Sequence, residues 1–218
     1  MKLYGYFRSS AAFRVRIALN LKRLSYEQAP IHLRRNEQQG ATYRALNPQG
    51  LVPTLDDNGT VLTQSLAIIE YLDETHPQPP LLPAQPVARA RVRALALAVA
   101  CDIHPIDNLR VLRYLAKPLG HGDAAIEDWF NHWIRVGFEA IERRIAGEHE
   151  TGAFCHGDTP TLADICLASQ VIAAVSYFDC DVKSVPTAMR IYGECLKLDA
   201  FDRSQPHKQP DAPANPSH

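Results

Sequence analysis

The chain has 218 residues, enough for one large domain or two small ones, each with its own hydrophobic core. Its 46% hydrophobic and 22% charged residues are ordinary for a globular protein, and a net charge of −1 argues against nucleic acid or anionic membranes as partners. No apolar run approaches the roughly 18 residues of a membrane span and no signal-peptide pattern opens the chain, so a cytoplasmic protein is expected.

The first predicted elements are a short strand and a helix that follows it directly. Residues 2–7 alternate aromatic and smaller side chains, which predicts a strand, and the apolar residues from Ala11 onward have helical spacing. Ser9 and Ser10 therefore lie near a helix N-terminus, where unpaired N–H groups and the helix dipole favour an anion. A serine here is a common helix cap, and its hydroxyl can equally donate a hydrogen bond to a thiolate.

The rest of the first half alternates strand and helix patterns. Asp57-Asn58-Gly59 is typical of a hairpin turn, and Ser65 is predicted to cap the helix that follows. The predicted bounds are 26–33 (strand), 37–45 (weak helix), 51–56 and 60–62 (strands) and 66–75 (helix). The order β-α-β-α-β-β-α predicts a small α/β domain with helices on both faces of a mixed sheet.

A linker separates this half from a helical second half. Residues 76–87 contain five prolines and can form neither a regular helix nor a central strand. Thr161-Leu162-Ala163-Asp164 has the spacing of a capping box at the start of one helix. The predicted helices are 87–116 with a kink at Pro105, 124–145, 162–175 and 186–198. From Arg203 the chain is polar and rich in proline, so a loosely packed tail is expected.

The cysteines and histidines show no pattern of a metal or redox site. The five cysteines are widely scattered without C-x-x-C spacing, and the nine histidines have no ligand spacing with acidic residues. We therefore predict free thiols in a reducing compartment and no metal site.

Three local features of the first half become more informative when they are taken together. They are Ser9-Ser10 at one helix start, Val52-Pro53 at the mouth of a strand, and Gln64-Ser65 at a second helix start. The X-Pro bond can be cis, which would leave the N–H and C=O of Val52 available to a bound peptide. A serine at a helix N-terminus can hold a carboxylate. Together they describe a groove for an extended γ-glutamyl peptide, with its thiol at the end of the first helix.

At this point the chain resembles the zeta class of glutathione transferases, the group that includes the maleylacetoacetate and maleylpyruvate isomerases. The resemblance covers nearly all of the chain. Its motifs are Phe7-Arg8-Ser9-Ser10, Arg14-Val15-Arg16-Ile17-Ala18-Leu19, Ala45-Leu46-Asn47-Pro48, Val52-Pro53-Thr54-Leu55, Gln64-Ser65, Asp102-Ile103-His104-Pro105, Gly157-Asp158, Leu162-Ala163-Asp164 and Gln209-Pro210-Asp211. It implies a thioredoxin-like, glutathione-binding domain at 1–80, an all-helical substrate-binding and dimer domain at 88–205, a flexible tail at 206–218, and a cytosolic homodimer.

The resemblance also implies roles for individual residues. Ser9, or alternatively Ser10, would stabilise the thiolate, and Arg8 would stand beside them in the catalytic group. Glutathione would be held by Ser9, Ser10, Ala11, Phe13, Gln38, Val52, Pro53, Gln64, Ser65, His104 and Asn108. An acidic substrate would meet Arg8, Arg110 and the position of Ser176.

The implied activity is a cis–trans isomerisation with glutathione as cofactor. The glutathione thiolate adds to a cis double bond conjugated with a ketone, the resulting single bond rotates, and elimination returns the trans isomer and the thiol. The substrate would be maleylacetoacetate or maleylpyruvate, from the breakdown of aromatic compounds. The alternatives are a transferase that conjugates or dehalogenates an electrophile and, third, a glutathione-binding protein without activity.

Two departures from the family's pattern bear on this prediction. Many relatives have Ser-Ser-Cys-Ser-Trp where this chain has Ser9-Ser10-Ala11-Ala12-Phe13, so a mechanism that needs the motif cysteine is excluded. Ser176 stands where many relatives carry an arginine that helps to hold the substrate carboxylate. Either Arg110 compensates for this loss, or the substrate carries less negative charge.

Overall fold

The computed structural model describes residues 1–178 and 180–213, which fall into two units. The first unit contains Met1–Leu81 together with the chain from Leu196 onward, and the second is Leu82–Cys195. The boundary between the two units lies between Leu81 and Leu82, within the proline-rich residues 76–87.

The first unit is built on one four-stranded sheet. Its strands are β1 (Lys2–Gly5), β2 (Glu27–Pro30), β3 (Thr54–Asp57) and β4 (Thr60–Thr63), and its helices are α1 (Ser10–Leu21), α2 (Ala41–Leu46) and α3 (Ser65–Thr75). The strand order is β2-β1-β3-β4; β1 pairs with β2 in parallel and with β3 antiparallel, and β3 pairs antiparallel with β4. The predicted mixed sheet and element order are confirmed. The weak helix predicted at 37–45 is instead a 3₁₀ turn, Glu37–Gln39, followed by α2; a further 3₁₀ turn, Leu33–Arg35, lies before this range.

The hairpin between β3 and β4 follows its sequence signal closely. Asn58 and Gly59 both have positive φ angles, 52° and 90°, as the two-residue turn requires. The side chain of Asp56 accepts a hydrogen bond from the N–H of Gly59 at 2.7 Å. The turn fixes the register in which Thr54 lies opposite Thr63.

The core of this unit lies between the sheet and two helices. α1 packs against α3, and Phe13, Ile17, Leu55, Ile68 and Leu72 are all essentially inaccessible to solvent. Burial of such side chains contributes about 1.5–3 kcal/mol each and dominates the stability of a domain of this size.

The C-terminal segment packs onto the first unit. It forms the short helix α9 (Asp199–Asp202) and a 3₁₀ turn at Pro206–Lys208. The Ser204 carbonyl accepts from Nε of the buried Arg16 at 3.1 Å, and Asp211 accepts from the N–H of Phe7 at 2.9 Å. The sequence predicts a loose tail from 206; residues 206–213 instead make specific contacts, because the side chains of Gln209 and Asp211 find partners. Residues 214–218 of that prediction lie outside the described residues.

The second unit contains helices only, apart from one isolated β-bridge, within the residues that are described. They are α4 (Pro86–Leu97), a π-helix (Ala98–Ile103), α5 (Leu109–Ala116), α6 (Asp123–Gly147), α7 (Leu162–Tyr177) and α8 (Pro186–Leu196). The helix predicted at 87–116 is therefore interrupted at 104–108 rather than merely kinked at Pro105. None of these helices, nor any other among the described residues, is long and apolar enough to cross a membrane.

At the centre of the second unit lies α7, which is buried along most of its length. The predicted capping box is confirmed at its start: Thr161 is the N-cap residue, and its N–H donates a hydrogen bond to the carboxylate of Asp164 at 2.7 Å. The other carboxylate oxygen of Asp164 accepts from the N–H of Cys155, also at 2.7 Å. This one side chain thus ties the preceding loop to the central helix.

The five cysteines are all free, as the sequence predicts. Cys155, Cys166 and Cys195 are buried, and burial raises the pKa of the Cys155 and Cys195 thiols. A thiol with a raised pKa is a weak nucleophile at neutral pH, so these two residues act as core side chains.

A glycine on α6 allows the π-helix to approach closely. A Cβ at Gly137 would clash with Cγ1 and Cδ1 of Ile103. We expect Gly137→Ala to lower the free energy of unfolding by about 1–3 kcal/mol, because the Ile103 side chain or the π-helix that carries it must shift. Urea denaturation measures this change. Gly147→Ala on the same helix is the matched control, since its Cβ meets nothing within 4 Å; equal losses in both variants would contradict the explanation.

Candidate active site

Three of the predicted motifs lie at one end of the sheet of the first unit. Tyr4, Thr54 and Thr63 are aligned across β1, β3 and β4. The chain beyond this row leads to Ser9 from β1 and to Gln64-Ser65 from β4, while Val52-Pro53 immediately precedes β3. The sheet register therefore brings together the groups that the sequence singled out separately.

Ser9 is the N-cap residue of α1. Its Oγ accepts a hydrogen bond from the N–H of Ala12 at 3.2 Å, and its own N–H donates to the carbonyl of Tyr6 at 2.9 Å. Because Oγ serves the helix as an acceptor, the hydroxyl hydrogen is still available to donate. The two interpretations of Ser9, as a cap and as a thiolate donor, are therefore compatible. Ser10 is the first residue of the helix and is likewise half-buried.

The neighbours of Ser9 differ in their accessibility. Arg8 and Ala11 are half-buried. Phe13, predicted to contact glutathione, is only 1% exposed, and the guanidinium carbon of Arg16 lies 5.6 Å from the centre of its ring. The backbone N–H of Phe13 donates to the carbonyl of Ser9. The prediction for Phe13 is therefore corrected: its side chain belongs to the core and its backbone to the helix.

A buried arginine links the two helix starts. Arg14 lies on α1, is almost completely buried, and its Nη1 donates to Oγ of Ser65 at 3.4 Å. The contact places the start of α3 beside α1 and adds positive charge near it. The sequence contains no sign of this partner, which lies 51 positions away.

The second motif, Val52-Pro53, carries backbone polar groups that form no hydrogen bond with the described residues. The Val52–Pro53 peptide bond is cis, as predicted, and Pro53 is buried. The carbonyl of Leu51 accepts from Tyr43 Oη and from Asn47 Nδ2, both at 2.7 Å. By contrast, Val52 makes no hydrogen bond through its N–H or C=O to any described residue. A bound peptide backbone would satisfy both groups.

The third motif is the start of α3. Gln64 is the N-cap residue with φ at +69°, and its side chain bonds to Gln49 at 2.8 Å instead of capping the helix. Ser65 is the first residue of the helix, so its predicted role as the cap is wrong. Without a side-chain cap, the first N–H groups of α3 can bind an anion such as a carboxylate. A positive φ in a non-glycine residue is uncommon and is often associated with function.

Gln38 lies in the 3₁₀ turn before α2 and is 7% exposed. Its side-chain oxygen is buried, and no described residue donates a hydrogen bond to it. Buried amide oxygens are normally paired, so this atom fits a site for a ligand with a polar hydrogen.

The remaining predicted residues lie in the second unit. His104 follows the π-helix and is half-buried, and Asn108 caps α5 by accepting from the N–H of Arg110 at 3.1 Å. The side chain of Arg110 is exposed. Ser176 is exposed in the last turn of α7.

Sequence reasoning did not select Asp107, which immediately precedes the α5 cap. It is 6% exposed, and neither carboxylate oxygen has a hydrogen-bond partner among the described residues. Burial raises its pKa to about 8. Its sequence neighbours are those of an ordinary helix start, so only the fold could identify it.

Known proteins are similar to this chain in both sequence and fold. The glutathione S-transferase N-terminal domain matches residues 3–80. A probable maleylacetoacetate isomerase of Vibrio cholerae is 49% identical over 96% of this chain and 97% of its own. A maleylpyruvate isomerase of a Ralstonia species is also 49% identical, over 97% of this chain and 100% of its own.

Two solved structures are also similar to this chain in fold and sequence. A zeta-class maleylpyruvate isomerase in its holo form has a TM-score of 0.96 at 48% identity, covering 98% of this chain and 100% of its own. A maleylacetoacetate isomerase from Methylobacterium extorquens, with bound malonate and glutathione, has a TM-score of 0.95 at 45% identity and the same coverage.

Proposed function

Because the chain belongs to the zeta class of glutathione transferases, we propose that it is a glutathione-dependent cis–trans isomerase of a maleyl-keto acid. This class includes the maleylacetoacetate and maleylpyruvate isomerases. The observation that carries this proposal is the set of open groups at one end of the sheet. They are the Ser9 hydroxyl, the unpaired backbone of Val52 and the uncapped start of α3.

These residues fit glutathione group by group. Val52 would pair with the peptide backbone, the start of α3 at Ser65 would hold the γ-glutamyl carboxylate, and the buried oxygen of Gln38 would accept a polar hydrogen. Ser9 would lie at the cysteinyl end. When bound, glutathione supplies a thiolate that adds reversibly to the cis double bond and so permits its rotation.

Ser9 would contribute by stabilising that thiolate. A free thiol has a pKa of about 8.5, so a hydroxyl donor and a helix N-terminus are needed to favour the charged form at neutral pH. Arg8 and Arg110 would bind substrate carboxylates and offset the negative charge that develops on the ketone oxygen. Ser10 remains the alternative donor, with the same helix end in its favour.

The position of Ser176 favours a second candidate function. An exposed serine in the last turn of α7 provides no charge for a substrate carboxylate. The same thiolate could then conjugate an electrophile or displace halide from an α-halo acid. We further propose a cytoplasmic homodimer that acts in the breakdown of aromatic compounds, as the resemblance to the zeta class implies.

The two activities are distinguished by one pair of assays. With glutathione and maleylacetone, an isomerase removes the cis-enone absorbance without consuming thiol. With an α-halo acid, a transferase releases halide and consumes thiol in proportion. We expect turnover in the first assay; its absence alongside halide release would support the transferase, and the absence of both would leave only glutathione binding.

Arg110 can be tested within the first assay. We expect Arg110→Ala to raise KM for a diacidic substrate roughly tenfold and to change kcat much less, because the guanidinium binds ground state and transition state alike. Arg135→Ala is the control, since this arginine is exposed on α6 and pairs with Glu139 at 3.3 Å. An unchanged KM in Arg110→Ala would remove Arg110 from the substrate site.

A further inference from the structure

Asp107 lies in the connection between the π-helix and α5 and has no role in the function proposed above. It is more than nine-tenths buried, and neither carboxylate oxygen has a hydrogen-bond partner in the part of the chain that the structure describes. Buried polar groups are nearly always paired in folded proteins, so an unpaired carboxyl calls for an explanation beyond packing.

The connection that carries Asp107 is held on both sides. The N–H of Asp107 donates to the carbonyl of Ile103 at 3.3 Å, at the end of the π-helix. Trp129 on α6 donates from its ring nitrogen to the carbonyl of Ile106 at 3.0 Å. Asn108 begins α5 as its cap. These bonds hold the backbone on either side of the carboxyl and keep its side chain in the interior.

The elements next to this connection carry several charged or titratable side chains, but none of these side chains pairs with Asp107. The elements joined to it carry Asp102, His104, Arg110, Arg113, Asp128 and His132. None of them is an ion-pair or hydrogen-bond partner of Asp107, and burial alone raises the pKa of its carboxyl to about 8. The group is mostly protonated at pH 7 and ionises at higher pH.

We propose that Asp107 determines how strongly the start of α5 binds an acidic substrate, by keeping an uncharged acid three residues before Arg110. An uncharged acid leaves the positive charge of Arg110 fully available to the substrate. A carboxylate in the same place would offset that charge and repel a dianion. Asp107 is thus a positioning residue that acts through Arg110. This inference rests on the proposed function for the acidity of the substrate.

The test measures affinity for malonate, a dianion bound together with glutathione by the relative from Methylobacterium extorquens. Saturating S-methylglutathione replaces glutathione, so that no thiol titrates. We expect Kd for malonate to rise roughly fivefold between about pH 7 and pH 9.5 in the natural protein, as expected for a unit charge introduced near a dianion at a partly screened site. In Asp107→Asn the rise should be less than twofold.

Two further variants complete the comparison. Asp123→Asn removes an exposed carboxylate at the start of α6 and should keep the fivefold rise. Arg110→Gln should bind malonate weakly at both pH values and lose most of the rise. An equal rise in the natural protein and Asp107→Asn would overturn the inference, as would an Asp107→Asn variant that binds S-methylglutathione much more weakly than the natural protein does.

Trp129 provides a test that needs no variant. Because its ring bonds to the residue before Asp107, tryptophan fluorescence of the natural protein should titrate with a midpoint near pH 8. A flat profile from about pH 7 to pH 9.5 would overturn the inference. Malonate binding needs no turnover, so an inactive protein that keeps the pH effect would contradict the isomerase proposal alone.

Discussion

Replacement of Ser9 by alanine is expected to lower kcat of the isomerisation roughly a hundredfold, because one hydrogen bond to a negatively charged reacting group, here the thiolate, contributes about that much to the rate. Kd for glutathione should change less than threefold, since Val52, Gln38 and the start of α3 would still hold the peptide. The helix also loses its cap, which lowers the free energy of unfolding by about 1 kcal/mol. Steady-state kinetics with maleylacetone, together with calorimetric binding of glutathione, measure both effects.

Two substitutions at the same position separate the cap from the thiolate donor. Ser9→Asp keeps a side-chain oxygen that can cap α1 but, when ionised, donates no hydrogen bond, so its activity should fall at least as far as that of Ser9→Ala while its stability is retained. Ser9→Thr keeps both functions and should retain most of the activity. If Ser9→Ala is fully active and Ser10→Ala is not, the donor is Ser10.

Replacement of Asp164 by alanine should cause the largest loss of stability in the second unit, about 3–4 kcal/mol, because it leaves several buried donors unsatisfied. These donors are the N–H of Cys155, the N–H of Thr161 and the hydroxyl of Thr161, at 2.7 to 2.8 Å. For a chain of this length the melting temperature would fall by roughly 10 °C. Differential scanning calorimetry measures the shift.

A carboxylate in the same loop serves as the control for Asp164. Asp158 is exposed and accepts one hydrogen bond, from the N–H of Ala153 at 3.0 Å. Asp158→Ala should therefore lose no more than about 1 kcal/mol, since water can replace its single bond. Similar losses for the two variants would contradict the view that burial makes Asp164 the more important residue.

The elements that the sequence predicts well are those whose signals are local. The hairpin at Asn58-Gly59 and the capping box at Thr161 to Asp164 each depend on residues within four positions, and both are confirmed. The cis bond before Pro53 is likewise a property of one dipeptide in a strand-start context. The order of strands and helices follows from periodicity, so the α/β unit and the helical unit were both predictable.

The errors lie where distant parts of the chain decide the local structure. The sequence predicts one helix over 87–116, yet the chain leaves helical geometry at 104–108. There the ring N–H of Trp129 donates to the carbonyl of Ile106, and the missing side chain of Gly137 leaves room for Ile103 just before. Pro105 signals a disturbance there but not its extent. Phe13 has the same origin of error, because motif position suggests an accessible side chain and the packing of α1 buries it.

The candidate site divides along the same line. The three motifs of the first unit were predictable because each is a short pattern, and the sheet register then aligns them. The Arg14–Ser65 contact was not predictable, since it joins two helices far apart in sequence. The unpaired carboxyl of Asp107 was not predictable either, since its burial depends on the packing of the folded chain. Ser65 was misplaced by one residue because nothing local reveals the positive φ of Gln64.

The first unit takes its parts from both ends of the chain, which affects how the protein forms during synthesis. The carbonyl of Ser204 and the carboxylate of Asp211 receive hydrogen bonds from Arg16 and Phe7, and Phe201 is fully buried. The ribosome delivers these groups only after the helical unit has been synthesised. The sheet and its helices can therefore complete their contacts only once residues 201–211 have followed, and a gene fragment that stops at Leu81 would encode an unfinished unit.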